Sequence, residues 1–144
     1  MNQPVTSDAA LSAGPEEMAA IIRQYRTIAV VGLSSDPSRP SYQVAQYLQN
    51  QGYRIIPVNP KCREVLGEPC YPSLGQVPEP VEIVDIFRQV EAIPGIVEEA
   101  IAIGAKVIWM QQGLEHAEAA AKARQAGLQV VMNRCLKVEH ARLG

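Results

Sequence analysis

The sequence has few of the residues that build metal and disulfide sites. Its 144 residues include three cysteines and two histidines. Cys62, Cys70 and Cys135 are irregularly spaced, no C-x-x-C pair occurs, and His116 and His140 belong to no ligand cluster. An odd and scattered set of cysteines is typical neither of a disulfide framework nor of a zinc site. We therefore expect no metal site and a reducing, cytoplasmic compartment.

Features of nucleic-acid-binding and membrane proteins are also missing. The net charge is −2, and no basic stripe alternates with aromatic residues, so we expect no nucleic-acid partner. No apolar run is long enough to span a bilayer, and the first residues lack the basic and apolar regions of a signal peptide. We expect a protein that binds neither nucleic acid nor membrane.

Common catalytic motifs are absent as well. The sequence contains neither the G-x-S-x-G of a nucleophile elbow nor the G-x-x-x-x-G-K-[ST] of a phosphate-binding P-loop. His116 and His140 fall in predicted helices, where we expect surface positions, and Asp85 is expected to bond a neighbouring backbone group. No acid/base pair suggests a reaction. The sequence therefore favours a protein without catalytic activity.

The residues that are present alternate between short apolar runs and amphipathic segments. Residues 1–14 are small and polar and are predicted to be a disordered tail, with one folded domain over 15–144. Predicted strands and helices then follow in turn: strands at 27–33, 54–59, 81–87, 106–110 and 129–132, and helices at 15–25, 40–51, 94–103, 115–126 and 138–143. This alternation predicts an α/β fold with a doubly wound, mainly parallel sheet in a three-layer, Rossmann-like αβα domain. Pro57 is awkward for a central strand.

In such a sheet, ligands bind beyond the carboxyl ends of the strands. Gly32 lies near the end of the first strand, where the backbone can turn tightly and approach a ligand, and Leu33, Ser34 and Ser35 follow. The second and third glycines of a dinucleotide fingerprint are missing. Hydroxyl groups, a helix start and the forked charge of Arg39 would suit a phosphate instead. The alternative is an ordinary polar loop in which Ser41 caps the helix.

The ends of the second and third strands carry cations. Asn59, Pro60 and Lys61 end the second strand, where an NAD site would carry an acidic residue. A lysine there favours the ribose phosphate of NADP or of coenzyme A, unless it is a solvated turn residue. Phe87 and Arg88 end the third strand. These two residues could flank the adenine ring or the pyrophosphate of a nucleotide. The alternative is that Phe87 is a core residue and that Arg88 is a surface residue paired with Glu91.

The last two strand ends are rich in amides. Trp109 is predicted to be a core residue, and candidate ligand contacts follow it at Met110, Gln111, Gln112 and Gly113. Asn133, Arg134 and Cys135 end the final strand. Arg134 and Lys137 would favour the thiolate of Cys135, although such a cysteine is more often small, buried and inert.

Together these segments resemble the stand-alone CoA-binding proteins, which are similar to the CoA-binding domain of the succinyl-CoA synthetase alpha subunit. The resemblance rests on IAVVGLSSDPSRPSYQVAQYL, GYRIIPVNPK, VDIFR, AIAIGAKVIWMQQG and VVMNRC, within residues 27–143. It implies that coenzyme A or acyl-CoA is bound, with residues 33–36 after Gly32 holding the nucleotide end. Lys61, the turn before Gly113 and the segment from Asn133 to Cys135 match the other family motifs.

Two departures limit what the resemblance implies. Leu136 stands where the synthetase has a proline after the cysteine, and no counterpart of the phosphohistidine domain is present. The resemblance therefore implies a non-catalytic CoA-binding protein that works alone, as a homo-oligomer or with a partner enzyme. The alternative from the residues is a short NADP-dependent oxidoreductase, and a third possibility is a mixed disulfide between Cys135 and the thiol of coenzyme A.

Overall fold

A computed structural model describes residues 11–144 of the chain. Its strands and helices follow the predicted alternation: α1 Pro15–Gln24, β1 Thr27–Val31, α2 Pro40–Asn50, β2 Arg54–Val58, β3 Glu64–Val65, β4 Glu68–Pro69, β5 Ile83–Ile86, α3 Ile93–Ala102, β6 Val107–Met110, α4 Ala117–Gln125, β7 Gln129–Val131 and α5 Leu136–Arg142. Five strands form one parallel sheet in the order β2-β1-β5-β6-β7. The Rossmann-like three-layer fold is confirmed.

Helices cover both faces of this sheet and create two apolar cores. On one face, α3 and α4 pack over alternate strand residues, including Val84, Ile86 and Ile108. On the other face, α1, α2 and α5 pack over Ile28, Val30, Ile83, Val107 and Trp109. Trp109 is fully buried, as predicted, and its indole Nε1 donates to the carbonyl of Arg134 at 2.8 Å. Strands buried on both faces explain the mostly apolar runs in the sequence.

Pro57 is accommodated because β2 is an edge strand. Its neighbour in the sheet is β1, and its other side has no strand of the main sheet beside it. On that side the carbonyl of Pro57 accepts the N–H of Tyr71, while the missing N–H of the proline leaves no donor unpaired. A proline is tolerated in a sheet where the ladder needs no donor from it.

The connection after β2 contains a hairpin that the sequence pattern did not reveal. Strands β3 and β4 pair antiparallel around Leu66 and Gly67, which both have positive φ. Arg54 of β2 holds the hairpin through an ion pair with Glu68, and it forms a second ion pair with Glu79, farther along the same connection. After the hairpin, Tyr71 forms one isolated bridge with Val58.

The predicted tail is partly folded. Its first ten residues lie outside the described part of the chain, but Leu11 and Ala13 are buried. The N–H of Ala13 donates to Val130 at 2.7 Å, and Ser12 Oγ accepts from the N–H of Met132 at 2.8 Å. The Arg124 side chain donates to the carbonyl of Leu11. Side-chain and backbone contacts therefore hold these three residues of the predicted tail along β7.

Each of the two histidines makes a hydrogen bond within the fold. His116 is the N-cap of α4, where its Nδ1 accepts the N–H of Ala119 at 3.1 Å. His140 of α5 shares a hydrogen bond of 2.8 Å with the hydroxyl of Tyr47. Both histidines are half-buried, whereas the sequence predicted surface positions. None of the helices described is long and apolar enough to cross a membrane.

Candidate functional site

Every strand of the sheet delivers a predicted site segment to the same edge. All five strands run parallel, so the loops after β1, β2, β5, β6 and β7 meet at their carboxyl ends. The chain leaves β1 toward β2 on one side and later returns to β5 on the other side. This reversal places a crevice between the ends of β1 and β5, where ligands of such sheets bind.

Gly32 sits in this crevice and is in close contact with the next strand. Its φ is +90°, and a Cβ at this position would lie 2.2 Å from the Phe87 carbonyl oxygen and 2.9 Å from Arg88 Cδ. The interpretation from sequence was that a ligand approaches Gly32. The backbone that approaches it in the described part of the chain is that of Phe87, so the glycine joins the ends of β1 and β5.

The serine loop after Gly32 is organised by its own hydroxyl groups. The N–H of Ser34 donates to Ser41 Oγ, and the N–H of Asp36 donates to Ser34 Oγ, both at 3.0 Å. Asp36 accepts bonds from the N–H and the hydroxyl of Ser38, and these bonds lower the pKa of its carboxyl. Ser35 is exposed. The loop therefore has a fixed shape before any ligand is considered.

Ser41 performs a different task from the helix cap that the sequence suggested. It lies inside α2, is 5% exposed, and spans from the helix back to the N–H of Ser34. We predict that Ser41→Ala lowers the free energy of unfolding by about 1–3 kcal/mol, because a partly buried N–H loses its acceptor. Urea denaturation measures this change. Ser38→Ala, whose hydroxyl is exposed, is the control, and equal effects of the two changes would contradict the assignment.

Asn59 links the first two strand ends. Its Nδ2 donates to the Leu33 carbonyl at 2.9 Å, and its Oδ1 accepts the N–H of Lys61 at 2.9 Å. The side chain of Leu33 is fully buried, so Leu33 offers the site its backbone alone. Asn59 therefore fixes the position from which Lys61 projects.

A cavity of about 250 Å³ opens between these strand ends. Gly32, Asn59, Pro60, Lys61 and Arg88 line it. Lys61 and Arg88 form no ion pair with any residue in the described range, and the pairing of Arg88 with Glu91 suggested from sequence is not present there. Two free cations beside a glycine turn suit a phosphorylated ligand.

Arg39 and Phe87 are less directly connected with the cavity around Lys61. Arg39 is exposed and precedes α2, and after the bonds from Ser38 its charge also helps to lower the pKa of the Asp36 carboxyl. It does not line the cavity around Lys61. Phe87 is half-buried against the core under α2 and presents its carbonyl to Gly32. This packing agrees with the alternative interpretation of Phe87 as a core residue.

The ends of β6 and β7 form a second, connected group. Asn133 adopts φ +59° and accepts the N–H of Gly113 at 2.7 Å, while Gln111 is buried and accepts the N–H of Leu136 at the start of α5. Met110 is fully buried. Met110 and Gln111 therefore support the loop from inside, and Gln112, Gly113 and Asn133 are the exposed members of the predicted set.

Arg134 is a candidate that the sequence interpretation used only to explain the reactivity of Cys135. It lines a cavity of about 240 Å³ together with Gln112, Asn133 and Cys135, and a neighbouring cavity of about 310 Å³ beside residues 12–14. Cys135 is half-buried at the position just before α5. The sequence signal that could have identified Arg134 was a cation at a strand end, which is the same signal that indicated Lys61 and Arg88.

The prediction for Asp85 is wrong. This residue of β5 is fully buried, and neither of its carboxylate oxygens has a hydrogen-bond partner in the described part of the chain. Its register partners Val30 and Trp109 lie on the face covered by α1, α2 and α5. A strand side chain stands perpendicular to the sheet, so it does not reach the neighbouring ladder groups. Burial raises the pKa of this carboxyl well above its ordinary value.

Comparisons with known proteins identify a family and similar folds. A family model described as "CoA binding domain" matches residues 26–141. The chain is 43% identical over 125 residues to the uncharacterized protein YneT of Bacillus subtilis, covering 87% of this chain and 93% of that protein. It is similar to the solved structure of a hypothetical protein from Pyrococcus horikoshii OT3, with a TM-score of 0.89, 42% identity and full coverage of both chains.

One further relative is an enzyme. The ADP-forming acetate–CoA ligase I of Archaeoglobus fulgidus is 33% identical over 121 residues. The match takes in 77% of this chain but 18% of the ligase. The similarity is therefore to one part of a much longer enzyme.

Proposed function

The chain belongs to the CoA-binding domain family, and on that basis we propose that it binds coenzyme A or acyl-CoA without catalysing a reaction itself. It is homologous to the CoA-binding domain of ADP-forming acetate–CoA ligases. The cavity around Lys61 has no histidine or carboxylate in its lining. Binding without proton transfer is the function that this site supports best.

The pair of free cations beside Gly32 is the observation that carries the proposal. Coenzyme A has a phosphate on its adenosine ribose and a pyrophosphate, so its nucleotide end is strongly anionic. We assign that end to the cavity formed by Gly32, Asn59, Lys61 and Arg88, with the Ser34 and Ser35 loop beside it. Charge-assisted bonds from lysine and arginine to phosphate are the strong hydrogen bonds of such sites.

The thiol arm is assigned to the other half of the strand-end edge. Neighbouring strands of a sheet lie about 4.8 Å apart, so the ends of β1 and β7 are about 14 Å apart across three intervals. An extended arm from the first cavity would pass Gln112 and Gly113 and reach Asn133 and Cys135. The exposed amides there are groups that an amide-containing chain can bond.

Titration calorimetry of the purified protein tests the proposal. We expect heat of binding and a thermal shift with coenzyme A, and a smaller shift with NADPH. Absence of both signals at millimolar coenzyme A would overturn the proposal. A larger stabilisation by NADPH would favour the oxidoreductase alternative instead.

Lys61→Ala examines the assigned position of the nucleotide. We predict that it weakens coenzyme A binding by about 1–3 kcal/mol, because a charge-assisted bond to phosphate is lost. Binding of dephospho-coenzyme A should change less, since that ligand lacks the ribose phosphate. Lys106→Ala, an exposed lysine just before β6 and thus at the opposite edge of the sheet, is the matched control. Equal weakening of both ligands by Lys61→Ala would place the lysine elsewhere.

A further inference from the structure

A groove, which we call the α1–α5 groove, runs along the surface between the first and the last helix. Its cavity of about 280 Å³ is lined mainly by apolar residues, among which Met18 and Ile22 are buried and Ala19 is half-buried. Both helices lead from the strand-end edge toward the opposite edge of the sheet, because α5 follows β7 and α1 leads into β1. The groove therefore starts at the strand-end edge beside Pro15 and ends near Leu143.

The α1–α5 groove adjoins the cavity to which the thiol arm is assigned. That cavity, of about 240 Å³, has Asn133 and Cys135 in its lining. The cavity and the groove share three lining residues, Arg134, Glu139 and Arg142, so they are neighbours around α5. A group attached to the sulfur of coenzyme A near Cys135 would therefore have the α1–α5 groove beside it.

The three shared residues leave one unpaired cation, and it lies at the entrance of the groove. Glu139 is 9% exposed and accepts from Arg142 at 3.1 Å, so these two charges neutralise each other. Arg134 forms no ion pair with any residue in the described range. It lies in the loop after β7, where its N–H donates to the Met110 carbonyl at the end of β6. An arginine there can donate to a thioester carbonyl, whereas the apolar lining beyond it suits an uncharged chain.

We propose that the α1–α5 groove binds the acyl chain of an acyl-CoA, and that this chain is aliphatic, uncharged and of medium length. From Cys135 to Leu143 the backbone advances about 12 Å along α5, since a helix rises about 1.5 Å per residue. That length accommodates a chain such as octanoyl. The inference rests on the proposed function and deepens it, because it names the acyl group of the ligand and the residues that contact it.

Titration calorimetry with acetyl-CoA, octanoyl-CoA and succinyl-CoA tests the inference. Each methylene transferred from water to an apolar site is worth about fourfold in affinity. Pro15 and Leu143 are exposed, so the groove is open to solvent and buries only part of the chain. We expect octanoyl-CoA to bind about tenfold more tightly than acetyl-CoA. Succinyl-CoA, whose chain ends in a carboxylate, should bind no more tightly than acetyl-CoA.

Ala19→Trp locates the acyl chain. The indole would fill the groove, so this variant should lose the preference for octanoyl-CoA and keep the wild-type affinity for acetyl-CoA. Ala121→Trp is the matched control, because Ala121 is also a half-buried helical alanine but packs on the opposite face of the sheet. The control should keep the wild-type affinity for both ligands. The wild-type ligand series decides the question even if a variant fails to fold.

Failure of the inference and failure of the proposed function give different results. If acetyl-CoA binds and octanoyl-CoA binds no more tightly, the groove holds no acyl chain, while the proposed function stands. A preference for succinyl-CoA over octanoyl-CoA would also overturn the inference, and so would a preference for octanoyl-CoA that survives in Ala19→Trp. If that variant instead loses a dimer that native mass spectrometry detects for the wild type, the groove is an interface between copies of the chain. If none of the three ligands binds, the proposed function and the inference fail together.

Discussion

Gly32→Ala is expected to lower the free energy of unfolding by about 3–5 kcal/mol, an amount that removes much of the stability of an ordinary domain. A Cβ in the left-handed region costs about 1–2 kcal/mol by itself. The added carbon would also lie 2.2 Å from the Phe87 carbonyl oxygen, and a backbone oxygen cannot rotate away as a side chain can. The ends of β1 and β5 would have to separate, so the crevice between them should lose its shape.

Gly127→Ala is the matched control for this change. Gly127 has φ +94°, similar to that of Gly32, but a Cβ there would meet no atom within 4 Å. Its loss of stability should therefore be limited to the backbone strain of about 1–2 kcal/mol. Chemical denaturation of both variants gives the difference, which measures the contact with Phe87. Equal losses would show that the crevice opens at little cost.

Asp85→Asn should change the pH dependence of stability more than any other single replacement of a carboxylate in the described chain. The folded protein holds the proton of Asp85 to a higher pH than the unfolded chain, whose pKa is near 3.8. Between these two pKa values the folded state binds more protons, so stability falls as the pH rises, by about 1.4 kcal/mol per pH unit from this group. Asparagine cannot ionise, and the variant should lose this slope.

Urea denaturation from pH 4 to pH 8 measures the effect as the difference between Asp85→Asn and the wild type. Other groups titrate equally in both proteins, so the advantage of the variant should be smallest near pH 4 and should grow with pH until the folded pKa is passed. Asp36→Asn is the control, and its effect on stability should have the opposite sign. Hydrogen bonds from Ser38 lower the pKa of Asp36, so that variant should be less stable than the wild type above pH 4 and equal to it in stronger acid. A difference for Asp85 that is independent of pH would mean that the carboxyl reaches solvent.

The main sheet could be predicted because its strands are short and mostly apolar, and all of them except β2 are separated from the next strand by a segment of helical period. Pro57 also carried information, since a proline that is awkward for a central strand fits the edge where β2 lies. The hairpin of β3 and β4 gave no such pattern. Its strands have two residues each, and its turn at Leu66 and Gly67 lacks the usual asparagine or aspartate before glycine.

The candidate site was predictable as a set of loops but not as a set of side chains. The strand-end rule located Lys61, Arg88 and Asn133, because strand direction alone decides where these residues meet. It could not tell that Leu33 and Met110 turn their side chains into the cores. It also could not show that Asp85 lacks a partner, since that depends on which groups the packed helices bring to the sheet.

The two outer strands of the main sheet are each shielded by a different device. Along β7, residues 12 and 13 occupy backbone groups of Val130 and Met132, and Arg124 adds a bond to the Val130 carbonyl. Along β2, Pro57 offers no N–H, and Tyr71 occupies its carbonyl. Bare strand edges invite pairing with the edges of other molecules, which leads to aggregation. The contacts made by a short stretch ahead of the first helix thus help to keep separate copies of this protein from extending one another's sheets at high concentration.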